Sequence, residues 1–169
     1  FVVREETLCG ARRRVAWADG AGRPVLILPG LYAGLDEGLF ARVARLASRM
    51  GRPVALLEDR LAAGTLRANA GEVASLERQA DEVAAFAEGL SEPPDLLALS
   101  AGWAVAGRAR CARRVGWSPA AEPEAVRRAV GANPLLNEYY LRVHRRAFAG
   151  AGLVAPPVET TGAALGPVP

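Results

Sequence analysis

A serine at the end of an apolar run is the residue in this sequence best placed to do chemistry. The run "PDLLALSAGWA" (94–104) contains Ser100, with Ala98 two residues before it and Gly102 two residues after it. A serine hydroxyl becomes a nucleophile when a base takes its proton and N–H donors stabilise the oxyanion formed by attack. A sharp turn from a strand into a helix serves both needs, and it requires small neighbours because the two backbones come close together.

The five residues around Ser100 also have a purely structural interpretation. Taken alone, they more commonly belong to a serine that ends a buried strand and bonds a nearby carbonyl. The predicted elements around Ser100 are therefore needed to distinguish a nucleophile from the polar end of a strand.

Three apolar runs without polar alternation predict the strands of a buried parallel sheet. They are "PVLILPG" (24–30), "PVALLED" (53–59) and "DLLALS" (95–100). Between them, apolar residues recur at helical spacing, which predicts two amphipathic helices. Asp36 and Ser75 are the expected N-caps, and Gly51 and Gly89 are expected where the helices end. The predicted apolar stripes are Leu39, Phe40, Val43, Leu46, Ala47 and Met50 in the first helix, and Leu76, Ala80, Val83, Phe86, Ala87 and Leu90 in the second.

The two ends of the chain differ from this alternating region. "TLCGARRRVAWADGAG" (7–22) predicts one or two antiparallel edge strands around an Asp19-Gly20 turn, and "RRVGWSP" (113–119) predicts a further strand. Residues 119–150 are helical in pattern, whereas the tail is a periodicity-free mixture of Pro, Gly, Ala and Thr. We therefore expect a single domain over residues 1–150 and a linker or disordered tail over residues 151–169.

In this order of elements the chain resembles the N-terminal two-thirds of the α/β-hydrolase superfamily, over residues 8–118. The nucleophile elbow of that family is G-x-S-x-G, and here Ala98 stands at the first glycine position. "LILPGLYAG" (26–34) is similar to the family's His-Gly loop, with Pro29 in place of histidine, and "LLEDRLAAG" (56–64) occupies the place of its Asp- or Asn-containing loop. After the serine, "WAVAGRARCA" (103–112) would be the elbow helix.

The resemblance implies a fold, a reaction and a set of site residues. The fold would be α/β, a mostly parallel sheet with helices on both faces and an antiparallel N-terminal edge, with residues 119–150 as the start of a helical cap. Ser100 would be the nucleophile of ester or related acyl-bond hydrolysis, and the backbone N–H groups of Leu31 and Ala101 would form the oxyanion hole. The substrate would be a small acyl compound, and neither a metal nor an organic cofactor is implied. A bulky Trp103 would lie near the acyl or leaving-group pocket.

The acid and base of the family's triad have no clear counterpart. His144 is the only histidine, and chain order permits a triad of Ser100, Glu122 or Glu124, and His144. No strand is predicted between the acid and the histidine, and the arginines beside His144 would lower its proton affinity. His144 is therefore more typical of a surface or half-buried helix residue than of a base. Because a full domain of this type has more than about 200 residues, we expect residues 1–169 to lack the late strands that carry both groups.

Composition limits the remaining functions. The formal net charge of +3 is too small an excess to favour nucleic acid as a partner. All 21 basic residues are arginine, a uniformity that indicates codon bias before it indicates phosphate recognition. Cys9 and Cys111 have no companions at ligand spacing, so neither a disulfide framework nor a zinc site is indicated, and a cytoplasmic location fits. No apolar run is long enough to cross a membrane. The oligomeric state stays open.

Two further features carry alternatives. Residues 101–150 hold nine arginines against three glutamates, so a non-catalytic domain that binds an acidic partner there is the rival to a hydrolase. Glu58 and Asp59 follow the second predicted strand, at an edge where sites in parallel sheets gather. Loop carboxylates that bond backbone N–H groups or pair with Arg60 are the preferred interpretation of these two residues.

Overall fold

A six-stranded sheet runs through the computed structural model, which describes residues 1–35, 38–72, 75–117 and 134–155. The strands are β1 (Val2–Leu8), β2 (Ala11–Ala18), β3 (Val25–Leu28), β4 (Val54–Leu57), β5 (Asp95–Leu99) and β6 (Arg113–Trp117). Their order in the sheet is β1-β2-β4-β3-β5-β6, and the four strands from β4 to β6 are mutually parallel. This mostly parallel sheet confirms the predicted fold class, and it includes the strand expected near residue 113.

The N-terminal edge is antiparallel as predicted, but its turn lies elsewhere. Strands β1 and β2 form a hairpin, and β2 pairs antiparallel with β4 on its other side. The hairpin turns at Cys9 and Gly10, which have φ angles of 49° and 83°, so the predicted turn at Asp19-Gly20 is wrong. Two successive positive φ angles are typical of the tight two-residue turns that join antiparallel strands.

Helices cover both faces of the sheet. The helices are α1 (Gly38–Ser48), α2 (Ala63–Ala68), α3 (Leu76–Glu88), α4 (Gly102–Val105) and α5 (Pro134–Gly150). On one face, Val83 and Phe86 of α3 pack against Leu26 and Leu96. On the other face, Val43 of α1 and its neighbours pack against the alternate strand residues, Ile27 among them. This double cover explains why every residue of β3 and β4 is buried.

The predicted helix signals are largely confirmed. The Ser75 hydroxyl accepts a hydrogen bond of 3.1 Å from the backbone N–H of Arg78 and so caps α3, which ends at Gly89. Asp36, the expected cap of α1, lies outside the described residues. The predicted apolar stripe is wrong at Leu46, which is 61% exposed, and at Met50, which is 67% exposed and lies beyond the end of α1.

A buried ionic network joins the hairpin to α3. Glu82 of α3 is fully buried, and its carboxylate lies 2.5 Å from Nη1 of Arg13 on β2 and 3.4 Å from Nε of Arg60. Arg60 also reaches Glu72, so its partners are not the adjacent carboxylates Glu58 and Asp59. Buried charges require such partners, because an unpaired ion inside a protein is strongly destabilising.

Helix α5 lies at the carboxyl edge of the parallel strands. Its residues Val143, Ala147 and Phe148 pack with Leu66 of α2 and with Tyr32, in the loop after β3. This helix is the only described part of the predicted cap segment, and residues 119–133 and the tail from 156 lie outside the described residues. The division into a domain and a tail stays a prediction. No described helix is long and apolar enough to cross a membrane.

Candidate active site

Ser100 occupies a strained turn between β5 and α4. Its φ angle is 47°, in the left-handed region that L-residues other than glycine rarely adopt, and its side chain is exposed at the surface. The turn is held by its own backbone: Ser100 N–H donates to the carbonyl of Trp117 at 3.0 Å, and Trp103 N–H donates to the carbonyl of Ser100 at 3.1 Å. The structure therefore places Ser100 at a sharp strand-to-helix turn, as the sequence predicted.

The small residues around Ser100 are needed for close backbone approach. A Cβ atom at Gly102 would lie 2.3 Å from the carbonyl oxygen of Pro29, a distance that no real side chain tolerates. A Cβ atom at Gly30 would lie 3.5 Å from the Cβ atom of Ser100, so the loop after β3 passes directly beside the serine. Ala98, which stands where the pattern has its first glycine, is fully buried within the sheet core. The elbow helix is shorter than predicted, because α4 ends at Val105 and gives way to a 3-10 turn over residues 106–108.

Leu31 and Ala101 line the same small cavity next to this turn. Gly102, Val105 and Asp59 also line it. Neither Leu31 nor Ala101 donates its backbone N–H to another group in the described parts of the chain. Two uncommitted N–H groups from the loop after β3 and from the residue after the serine are the arrangement that an oxyanion hole requires.

Tyr32 and Asp59 fix the loop that carries Leu31. Tyr32 has a φ angle of 63°, and its backbone N–H donates to Oδ1 of Asp59 at 2.9 Å. In return, the N–H of Asp59 donates to the carbonyl of Ala33 at 3.1 Å. The loops after β3 and β4 are thus tied together, a role for Tyr32 that the sequence did not reveal.

His144 lies on α5, buried against that same loop. Its Nδ1 is 2.7 Å from the hydroxyl oxygen of Tyr32, and its ring stacks at a tilt on Phe148, with 4.7 Å between ring centroids. Only 1% of His144 is exposed, so the predicted surface or half-buried position is wrong. No hydrogen bond joins His144 to Ser100 within the described residues. Glu122 and Glu124, the acids considered with it, lie outside the described residues.

The carboxylates after β4 bond backbone N–H groups, as predicted. Glu58 accepts the N–H and the hydroxyl of Thr65, at 3.0 and 2.7 Å, together with an Arg14 guanidinium N–H at 3.0 Å. Oδ1 of Asp59 accepts the N–H groups of Tyr32 and Leu61. Burial raises the pKa of Asp59 from 3.8 to about 6, against the opposing effect of these N–H donors.

Trp103 does not belong to this cavity. It packs against the core on the α3 face of the sheet, and its place near an acyl or leaving-group pocket stays a prediction. Among the described residues, no group of three or more His, Cys, Asp or Glu side chains is placed to hold a metal ion.

No family model matches the sequence, and no curated protein matches it. Solved structures do match. The N-formylmaleamic acid deformylase from Pseudomonas putida superposes with a TM-score of 0.59 at 19% identity, over 86% of this chain and 57% of that one. The chain has the α/β-hydrolase fold.

Two further structures with this fold are similar to the chain. The α/β-hydrolase domain-containing protein 10 from mouse matches with a TM-score of 0.59 at 13% identity, over 93% of this chain and 66% of that one. A thermophilic esterase from Thermogutta terrifontis matches with a TM-score of 0.53 at 19% identity, over 98% of this chain and 71% of that one. The chain thus spans about 57% to 71% of the length of these structures.

Proposed function

We propose that this protein is a serine hydrolase that cleaves an ester or a related acyl bond of a small-molecule substrate at Ser100. The observation that carries the proposal is the left-handed backbone of Ser100 beside the cavity lined by Leu31 and Ala101. Strain of this kind persists where the surrounding structure enforces it, and it is concentrated at functional sites.

The reaction follows from the chemistry of the site. The Ser100 oxygen attacks the carbonyl carbon as its proton passes to a base, and the N–H groups of Leu31 and Ala101 hold the oxyanion that forms. The bond to the leaving alcohol then breaks, the alcohol takes up the proton, and the acyl group stays on Ser100. Water then attacks the acyl-serine, which releases the acid and restores the hydroxyl.

The base of this reaction stays a prediction from the sequence. His144 is the candidate, because it is the only histidine of the chain. The ring lies next to the loop that carries Leu31, which is the reason to keep it in the proposal.

The named structural neighbours support an acyl substrate. One is named as a deformylase and another as an esterase, and both names describe cleavage of an acyl bond. At identities of 19%, these neighbours share the fold with this chain, and the reaction is our inference from the Ser100 turn.

A domain that binds an acidic partner through residues 101–150 is the less favoured function. Several of its arginines already have partners in the chain. Arg108 pairs with Asp81, Arg113 with Asp95 and Arg142 with Glu138, while Arg114 donates to backbone carbonyls. These contacts reduce the charge available to a partner.

Hydrolysis of 4-nitrophenyl acetate tests the proposal. We expect turnover by the wild type and a fall of at least a hundredfold in Ser100→Ala, because the nucleophile is lost while the oxyanion donors remain. Ser91→Ala is the matched control, since Ser91 is exposed in a loop and makes no described hydrogen bond. Equal rates for wild type and Ser100→Ala, or no turnover by the folded wild type, would contradict the proposal.

A further inference from the structure

The cavity beside Ser100 holds one ionisable group. Its volume is about 20 Å³, enough for a single group the size of a water molecule or an ammonium. Apart from Asp59 and Gln79, its lining is apolar and includes Leu61, Leu76 and Val105. A carboxyl group in an apolar wall interacts strongly with a group that occupies the space beside it. Asp59 therefore determines which charge and polarity a ligand in the cavity needs.

One oxygen of Asp59 is available to a ligand. Both described hydrogen bonds to its side chain go to Oδ1, from Tyr32 N–H at 2.9 Å and from Leu61 N–H at 3.0 Å. Oδ2 accepts no hydrogen bond from the described residues. Unlike the fully enclosed atoms without a partner, it keeps some accessible surface. Since Asp59 lines the cavity, this accessible oxygen is the one that a ligand there would meet.

Asp59 also lacks a dedicated counter-ion. Arg13 is the nearby cation, but its guanidinium is held by Glu82 at 2.5 Å and by the carbonyl of Glu58 at 2.6 Å. The carboxylate of Glu58 adds a repulsive negative charge. A positively charged group in the cavity would therefore stabilise the carboxylate of Asp59, whose negative charge has no dedicated counter-ion in the protein.

We propose that this cavity binds a small primary ammonium group, and that Asp59 selects acyl substrates with an amino group close to the scissile carbonyl, such as α-amino acid esters. The substrate preference rests on the proposed function of Ser100, but ammonium binding does not. Leu31 and Ala101 line the same cavity, so an ammonium held there would be next to the residues that we propose as oxyanion donors.

Ammonium binding can be measured without any activity. We expect ethylammonium chloride to shift the backbone amide NMR signals of Tyr32 and Leu61 with a dissociation constant in the millimolar range, as a three-atom ligand allows. The pKa of Asp59 is about 6, so binding should weaken as the pH falls through that value and the carboxylate takes up a proton. Sodium chloride at the same ionic strength and neutral ethanol should leave both signals unchanged.

Two variants make this measurement specific. Asp59→Asn keeps an oxygen that can accept both N–H groups, and we expect it to abolish the shift. Asp81→Asn is the control, because Asp81 is an exposed partner of Arg108 on the surface of α3 and should bind as the wild type does. A shift that persists in Asp59→Asn, or that sodium chloride reproduces, would overturn the proposal.

The substrate preference has its own test. At pH 7 the amino group of 4-nitrophenyl glycinate is largely protonated, and the propionate ester carries a methyl group in its place. After correction for spontaneous hydrolysis, we expect the wild type to prefer the glycinate by at least tenfold in kcat/KM, and Asp59→Asn to lose the preference. Hydrolysis of both esters without preference would overturn the selection by Asp59 and leave the proposed hydrolase intact. Ammonium binding without hydrolysis of either ester would overturn the hydrolase alone.

Discussion

Backbone strain at single residues coincides with the proposed active site of this chain. Three described residues other than glycine have positive φ angles: Cys9, Tyr32 and Ser100. Cys9 belongs to a hairpin turn, where such angles are ordinary, whereas Tyr32 and Ser100 each precede or follow directly a residue that lines the cavity, Leu31 and Ala101 respectively. Since this strain costs stability at each position, its presence on both sides of one cavity favours a role in function.

The strain at Ser100 has a measurable cost. Glycine adopts a φ angle of 47° without a Cβ clash, so we expect Ser100→Gly to be more stable than Ser100→Ala by about 1 kcal/mol. Both variants lose the hydroxyl, and the comparison therefore isolates the backbone. Urea denaturation measures the two free energies of unfolding. A Ser100→Gly variant that is no more stable than Ser100→Ala would show that the turn is unstrained.

Some of the contacts near Ser100 could be predicted from the sequence and others could not. The resemblance to α/β hydrolases, which is carried by the small-x-Ser-x-Gly pattern and the loop after the first buried strand, implied that Ser100, Leu31 and Ala101 would be neighbours. The bonds of Tyr32 to Asp59 and His144 were not predicted, because they join residues 27 and 112 positions apart. The signal available for Asp59 was its place at the carboxyl end of a parallel strand, where sites gather.

The elbow depends on how closely α4 approaches the loop after β3. A Cβ atom at Gly102 would overlap the carbonyl oxygens of Pro29 and Leu28, so we expect Gly102→Ala to destabilise the protein by about 2 kcal/mol or more and to abolish Ser100-dependent hydrolysis. The free energy of unfolding and the rate with 4-nitrophenyl acetate report the two effects.

Gly107→Ala is the matched control for this prediction. Gly107 lies in the 3-10 turn just after α4, and a Cβ atom there meets nothing within 4 Å. We expect this variant to equal or slightly exceed the wild type in stability, because alanine restricts the unfolded chain more than glycine does. If Gly102→Ala were as stable and active as Gly107→Ala, close packing at the elbow would not be required.

At the scale of elements, burial explains which predictions succeeded. Strands β3, β4 and β5 are enclosed by helices, so their apolar runs are continuous and the strands could be predicted. Strand β1 is largely exposed and carries no alternating apolar pattern, so its sequence does not reveal it as a strand. The Asp19-Gly20 pair is a stronger turn signal than Cys9-Gly10, and the predicted hairpin turn is therefore wrong. Leu46 and Met50 fit a helical spacing, but Leu46 lies outside the buried face of α1 and Met50 lies beyond the end of that helix.

For the whole molecule, charge placement is the least predictable property. A net charge of +3 with arginine as the only basic residue type suggests an ordinary solvated surface. Yet Arg13, Arg60 and Glu82 are buried and join β2, the loop after β4 and α3. Their pairing depends on the assembled sheet, because Arg13 and Glu82 are separated by 69 positions. In addition, burial lowers the pKa of Arg60 below its usual value, and Glu82 opposes this effect.

For the whole molecule, we propose that the fold positions and activates Ser100 as a nucleophile. The most direct test is to treat the 169-residue chain with a fluorophosphonate probe and to map the adduct by peptide mass spectrometry. We predict a single adduct on Ser100, absent in Ser100→Ala and unchanged in Ser91→Ala. A folded wild-type chain that remains unlabelled, or that is labelled equally after Ser100→Ala, would contradict the claim and leave the elbow as architecture without reactivity.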